Sequence, residues 1–267
     1  MKKAVSKIYM GIIFLFLYAP ILIMIFFSFN SSKSKTSFDG FSLRWYEALF
    51  QDELLMEALF NTLLVAVCSS IIATLLGTVA ALGIFNMKKR AKAIALNISN
   101  MPIINPEIVT GISLMILFVG VLNITGGELG FFSVLIAHVV FNTPYIILNV
   151  MPRLRRMNPN LYEAAQDLGC SPVSAFTKVV IPEIMPGILA GFLMAFTFSL
   201  DDFIISYFTS GNFQTLPIYI YGLLKKPIPL SINALSTLLF LIVLTVLIIT
   251  NVRSARLEKR EAEQKNH

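Results

Sequence analysis

Six stretches of this 267-residue chain stay predominantly apolar for more than twenty residues: near Tyr9 to Phe29, Ala58 to Phe85, Ala93 to Leu122, Phe131 to Met151, Pro186 to Ser210 and Ser231 to Asn251. A helix that crosses about 30 Å of hydrocarbon needs roughly 20 such residues. Only 13% of the side chains are charged and 56% are hydrophobic, against roughly a quarter charged in soluble domains. The runs therefore predict an all-α polytopic membrane protein with six transmembrane helices, forming a single membrane domain over residues 1–267.

Lys2, Lys3 and Lys7 precede the first run in the manner of a signal peptide. Its apolar stretch is too long for one, however, and "FFSFNSS" offers no small-x-small cleavage site. It is read as an uncleaved span. Short cytoplasmic loops retain Lys and Arg. With the N-terminus inside, 16 of the 21 basic residues fall on inner segments: Lys2, Lys3, Lys7; Lys88, Lys89, Arg90, Lys92; Arg153, Arg155, Arg156, Lys178; and Arg253, Arg256, Lys259, Arg260, Lys265. Both termini are then cytoplasmic, and the net charge of +6 follows from topology, with no nucleic acid implied. Cys68 and Cys170 are too few for a disulfide framework or a metal site.

The outer loop Asn30 to Glu57 contains "FSLRWYEALF", whose Trp45, Tyr46 and Phe50 with Leu43 and Leu49 suit an interfacial anchor. In the third run, "NMPIINPEIVTGIS" carries Pro102 and Pro106, which remove backbone donors and disfavour helix in the residues before them. A break is expected there. Irregular backbone at that depth must be covered by protein or line a cavity, so span three should face the middle of a bundle. Gly77, Ala81 and Gly83, and Gly187 with Gly191, mark close helix packing, within the chain in preference to a subunit interface.

Between spans four and five lies "YEAAQDLGCSPVSAFTKVVIP", amphipathic and soluble in character. Asn158 caps a helix opened by Pro159, Gly169 ends it in the left-handed conformation, Ser171 and Pro172 start another, and Pro182 limits that one. Ala164 and Ala165 leave a shallow face beside Glu163, which describes a knob for a partner protein's groove.

Glu163-Ala164-Ala165, then Gly169 and the "VVIP" ending in Pro182, resemble the EAA loop of importer-type (type I, MetI-like) ABC permeases. The family's Ile-x-Leu-Pro appears here as Val179-Val180-Ile181-Pro182. "SFNSS", "RWY", "NPEIVTGISL", "FSLDDFIISYFTSG", "LPIYIY" and "NALST" are similar to the spermidine/putrescine permeases of the C type. The resemblance implies a permease core over 58–251, a cytoplasmic coupling loop over 158–182 and a non-catalytic subunit without cofactor or metal. It also implies partners: a second permease in a heterodimer, two ATPase subunits and an extracytoplasmic polyamine-binding protein, all at a bacterial cell membrane.

Glu107, Asp201 and Asp202 lie within apolar runs, where a carboxylate costs roughly 2.5–3.5 kcal/mol and faces a cavity or a partner. By helical rise Asp201 stands about 22 Å above the inner end of span five and Glu107, with the proline break ignored, about 21 Å above that of span three, with His138 in the same layer. Acids in one layer suit a cation. A polyamine's ammonium groups would meet them, while Phe198, Phe203 or Tyr207 cover its methylenes and add cation–π attraction. Asp201 and Asp202 are about 100° apart on a helix, so one lines the path and the other fixes a neighbour; the spacing does not say which. The alternative is that these acids pair internally to lock helices together, and His138 reads as a hydrogen-bonding core residue.

The chain has no G-x-x-x-x-G-K-[ST] nucleotide loop and no clustered His/Asp/Cys constellation for an enzyme. An ion-coupled secondary transporter would use Glu107, His138 and Asp201 as a relay, but it leaves the knob unexplained, and six spans are few for an inverted-repeat carrier. Within the importer class, an iron complex or thiamine are alternative cargoes.

Overall fold

The computed structural model describes residues 2–32, 37–158, 160–224, 229–242, 244, 245 and 248. Pro159, Lys33, Lys35, Lys225, Lys226, the end of the sixth run and the basic tail from Arg253 lie outside the described residues. The described chain is all-helical apart from one isolated bridge between Asn30 and Phe41. In order come α1 (Lys2–Ser28), α2 (Arg44–Gln51), α3 (Glu53–Phe85), α4 (Lys89–Ile104), α5 (Glu107–Thr125), α6 (Phe131–Arg156), α7 (Asn160–Asp167), α8 (Pro172–Ala175), a π-helical turn (Phe176–Val180), α9 (Ile181–Asp201), α10 (Ile204–Thr209), α11 (Leu216–Leu223) and α12 (Ser231–Ile242). Among the described residues, five segments are long and apolar enough to cross a membrane: Tyr9–Ser28, Glu53–Phe85, Glu107–Thr125, Phe131–Arg156 and Pro172–Asp201. α12 is a shorter apolar helix.

The residues form two compact units, Met1–Met56 with Leu223–His267, and Glu57–Gly222. In the first, the "RWY" segment does not lie as a surface anchor. Trp45 is buried with Leu230 and Ala234, its indole N–H donates to the Asn30 carbonyl at 2.7 Å, and the Tyr46 and Ser28 hydroxyls are 2.9 Å apart. Leu49 is buried as well, while Leu43 and Phe50 stay exposed. An indole whose N–H finds a buried acceptor gains more from packing than from an interface.

α6 organises the second unit. Ser69 of α3 shares Ser199 with His138 of α6, and two turns further along both helices Gly77 packs on Ile146, so α3 and α6 run in the same direction. His138 with Ser199, Ile146 with Gly191 and Val150 with Gly187 pair in reverse order, so α9 runs antiparallel to α6. These relative directions are those expected of spans two, four and five. Ile146, Ile147, Val150, Met151 and Leu154 of α6 close a core with Ala73 and Ala81 of α3 and Ile184 and Ala195 of α9. Gly77, Gly187 and Gly191 allow the close approach, as expected for internal packing, whereas Gly83 meets nothing within 4 Å.

The expected break in the third run is present, and two other expectations differ. The third run is two helices, with Asn105 extended between them and Pro102 carried inside α4. Pro106 sets the break, since it cannot donate and it restricts Asn105. Glu107 consequently opens α5 instead of lying 14 residues up a continuous helix. Within this chain the α4–α5 break is exposed and little of α5 is buried, so span three does not face the middle of this chain's own bundle. Finally, Pro182 does not end the second coupling helix: α8 continues through the π-helical turn into α9, with Pro182 in the first turn of α9. In the widened turn the Ile181 N–H donates to the Phe176 carbonyl, and Pro182 in the next helix's first turn needs no N–H of its own there.

Candidate functional site

The fifth apolar run breaks at Asp202, which is extended, with no proline or glycine to force it. Asp202 itself makes the break. Its carboxylate accepts from the Ile205 N–H at 3.3 Å, the Ser206 N–H at 2.7 Å and the Ser206 hydroxyl at 2.8 Å. That is helix-capping chemistry at the start of α10, and it draws Asp202 to 8% exposure. His138 Nε2 lies 3.2 Å from the same carboxylate.

Asp201, the last residue of α9, is exposed. The two adjacent acids thus have different roles: Asp202 fixes a neighbouring helix, and Asp201 remains open. The final carbonyls of α9 have no helical partners, and a helix C-terminus carries about half a negative charge. Asp201 adds a full one. A half-helix C-terminus inside a membrane protein is a cation-attracting element, and this one bears its own carboxylate.

Phe198 lies one turn before Asp201 on α9. Its ring centroid is 4.7 Å from that of Tyr145 and 6.5 Å from that of Phe141, with Leu114 and Phe118 of α5 packed against this group. Gly111 of α5 packs on Ile204, Ile205 and Phe208, which brings the start of α5 near the break. Glu107, one turn before Gly111, is exposed. Phe198, beside Tyr145, and Asp201 stand one turn apart on α9, and Glu107 lies one turn of α5 from the contact of that helix with α10. Tyr207 belongs to a second aromatic group, with Phe203 at 5.4 Å and Tyr221 at 6.2 Å, and it is half-exposed. Tyr145 and Tyr221 escaped the sequence reading. Tyr145 carried a signal, seven residues and two helical turns from His138; Tyr221 carried only its place at the end of "LPIYIY".

The segment between α6 and α9 forms as its Asn158, Gly169 and Ser171 signals indicate. The Asn158 side chain accepts from Asn160 N–H at 3.0 Å, Gly169 takes φ +88°, and the Ser171 hydroxyl accepts from Ser174 N–H at 3.3 Å. Glu163, Ala164, Gly169 and Pro182 are exposed and Ala165 is half-buried, while Tyr162 packs α7 onto the main core. Leu168 and Val173 are 87% and 73% exposed, an apolar tip on an otherwise polar knob.

Residues 73–262 match the family described as binding-protein-dependent transport system inner membrane component. The putrescine transport system permease protein PotI of Escherichia coli K12 is 38% identical over 252 residues, 92% of this chain and 89% of that protein. The spermidine/putrescine transport system permease protein PotC of the same strain is 35% identical over 241 residues, 90% of each chain. The PotC homolog of Mycoplasma genitalium is 28% identical over 270 residues, 97% of this chain and 95% of that one. Among solved structures, a bacterial ABC transporter that imports alginate shares the fold with a TM-score of 0.69 at 16% identity, covering 95% of each chain. An amino acid ABC transporter does so at 0.57 and 20% identity, covering 79% of this chain and 98% of its own. With a matching family region, relatives alike over almost their whole length and a permease fold, this chain belongs to the binding-protein-dependent transport system inner membrane components, the permeases of ABC importers.

Proposed function

We propose that this chain is one half of the transmembrane path of an ATP-driven importer for polyamines, a multi-pass protein of the bacterial cell membrane with six spans, both termini cytoplasmic and α7–α8 on the cytoplasmic side. The observation that carries the cargo is the broken fifth span: a helix C-terminus bearing the open Asp201 carboxylate, with Glu107, Phe198 and Tyr207 on the elements around it. Carboxylates meet the ammonium groups of such a cargo, and the rings cover its methylenes. The names of PotI and PotC support the same chemistry. A second permease completes the path, an extracytoplasmic binding protein delivers the cargo, and two ATPase subunits drive the cycle by pushing on Glu163, Ala164, Ala165 and Gly169, with Pro182 at the root of the segment.

Uptake of labelled spermidine and putrescine into vesicles bearing the assembled complex tests this reading. Transport is expected with ATP and the ATPase subunits and none without them. Uptake driven by an ion gradient alone would overturn the importer, and an ATP-hydrolysing complex that moves neither polyamine would overturn the cargo.

Glu163→Lys tests the knob. Glu163 is exposed, so the substitution leaves this chain's fold intact while it reverses a charge at the ATPase contact. Truncating one partner of an interfacial ion pair costs about 2–5 kcal/mol, so co-purification of the ATPase subunits, or cargo-stimulated ATP hydrolysis, should fall by at least about tenfold. Full coupling in this variant would remove Glu163 from the contact.

A further inference from the structure

A buried chain of side chains crosses four helices at the break in the fifth span. The Ser69 hydroxyl of α3 is 3.0 Å from that of Ser199 on α9. Ser199 Oγ is 2.6 Å from His138 Nδ1 on α6, and His138 Nε2 is 2.9 Å from Ser206 Oγ on α10. Ser206 Oγ donates to Asp202 at 2.8 Å. None of the five residues exceeds 8% exposure. An unpaired carboxylate so placed would cost several kcal/mol, but both oxygens of Asp202 face donors, Oδ1 the Ile205 N–H and Oδ2 the Ser206 N–H, the Ser206 hydroxyl and His138 Nε2.

The chain is satisfied by either charge of the imidazole. With His138 neutral and its proton on Nε2, Ser69 donates to Ser199 and Ser199 donates to Nδ1. With His138 protonated, Nδ1–H donates to Ser199, Ser199 to Ser69, and Ser69 to the Ala66 carbonyl at 3.4 Å. In both settings Asp202 remains the fixed acceptor at the far end.

We propose that His138 is a positioning residue for transport: through Asp202 it holds the break between α9 and α10, and the break is what leaves Asp201 open at the C-terminus of α9. Ser199 to Ser206 contains no helix-breaking residue. Without the lock, α9 and α10 can join, turning Asp202 out of its cap and burying the free carbonyl end beneath the next turn. The inference rests on the proposed role of Asp201 in the path, yet it concerns geometry and can be tested without any cargo.

The test uses the assembled complex with Cys68→Ser, Cys170→Ser and Asp201→Cys in this chain, and reads the rate at which the introduced thiol reacts with a small trimethylammonium thiosulfonate. Leu at 138 removes both ring nitrogens, whereas Gln keeps a donor and an acceptor. His138→Leu should slow labelling by at least about tenfold and His138→Gln by no more than about threefold, the difference expected from losing one buried charge-assisted bond. Equal rates in the three backgrounds would overturn the proposal. Should His138→Leu fail to assemble, Ser206→Ala removes one arm of the lock and should still slow labelling about threefold; an unchanged rate there overturns it equally. The failure of polyamine uptake in the wild-type complex, with the labelling pattern intact, would discard the cargo and keep the lock.

Discussion

Asp201→Asn is expected to reduce ATP-driven polyamine uptake by about 10- to 100-fold, with the complex assembled at the wild-type level. The magnitude follows from a charge-assisted hydrogen bond of about 1.5–3 kcal/mol between carboxylate and ammonium. Retention of assembly follows from exposure: Asp201 caps nothing and lies open at the end of α9, and Asn keeps its shape. The neighbouring substitution should behave differently. Asp202→Asn keeps a single acceptor oxygen and sets an NH₂ against either the Ile205 N–H at the Oδ1 position or the Ser206 N–H, Ser206 hydroxyl and His138 Nε2 at the Oδ2 position, so it should lower the amount of folded permease as well as its rate. Glu107→Gln, at the exposed start of α5, should cost uptake by about two- to fivefold, the loss of a weaker solvent-exposed attraction. Initial uptake rates divided by the amount of complex in the membrane separate these cases. Asp201→Asn with normal uptake per complex would take the open carboxylate out of the path.

That contrast between adjacent acids marks how far the sequence could be read. Length and apolarity were enough for an all-helical membrane protein, and the Asn158, Gly169 and Ser171 signals placed the coupling helices, because caps and left-handed glycines act through the nearest few residues. The break at Asp202 was less visible. Proline and glycine announce breaks by what they cannot do, whereas Asp202 makes one by what it accepts, and its other partner, His138, is 64 residues away. The one local hint was an aspartate preceding Ile205 and Ser206 at capping distance. Trp45 misled for a similar reason: its indole acceptor, the Asn30 carbonyl, and its packing partner Leu230 are set by tertiary contacts. The third run was legible as broken but not as uncovered, because an apolar helix reads the same in sequence whether its neighbours belong to its own chain or not. Pro182 was overread as a terminator, because a π-helical turn before it lets α8 run on into α9.

The packing of α9 on α6 carries the other large effect. A Cβ on Gly187 would stand 2.7 Å from the Asn149 carbonyl oxygen and 2.9 Å from Arg153 Cγ. The arginine side chain can move, but the carbonyl belongs to helix backbone and cannot without displacing α6 itself. Gly187→Val should therefore separate the two helices at the root of the fifth span, and overpacking of about 1–3 kcal/mol or more should leave little permease in monodisperse form after extraction. Gly191→Val, whose Cβ would meet Ile146 Cα at 3.2 Å, should be milder by a few degrees in the thermal midpoint. Gly83→Ala supplies the opposite sign: nothing lies within 4 Å of the new methyl, and alanine in place of glycine within a helix gains about 1 kcal/mol. Thermal midpoints of the detergent-extracted variants give the ranking directly. If Gly187→Val were as stable as Gly83→Ala, the contact between α6 and α9 would be looser than drawn. The antiparallel register that sets His138 against Ser199, and with it the lock on the break beside Asp201, would then lose its foundation.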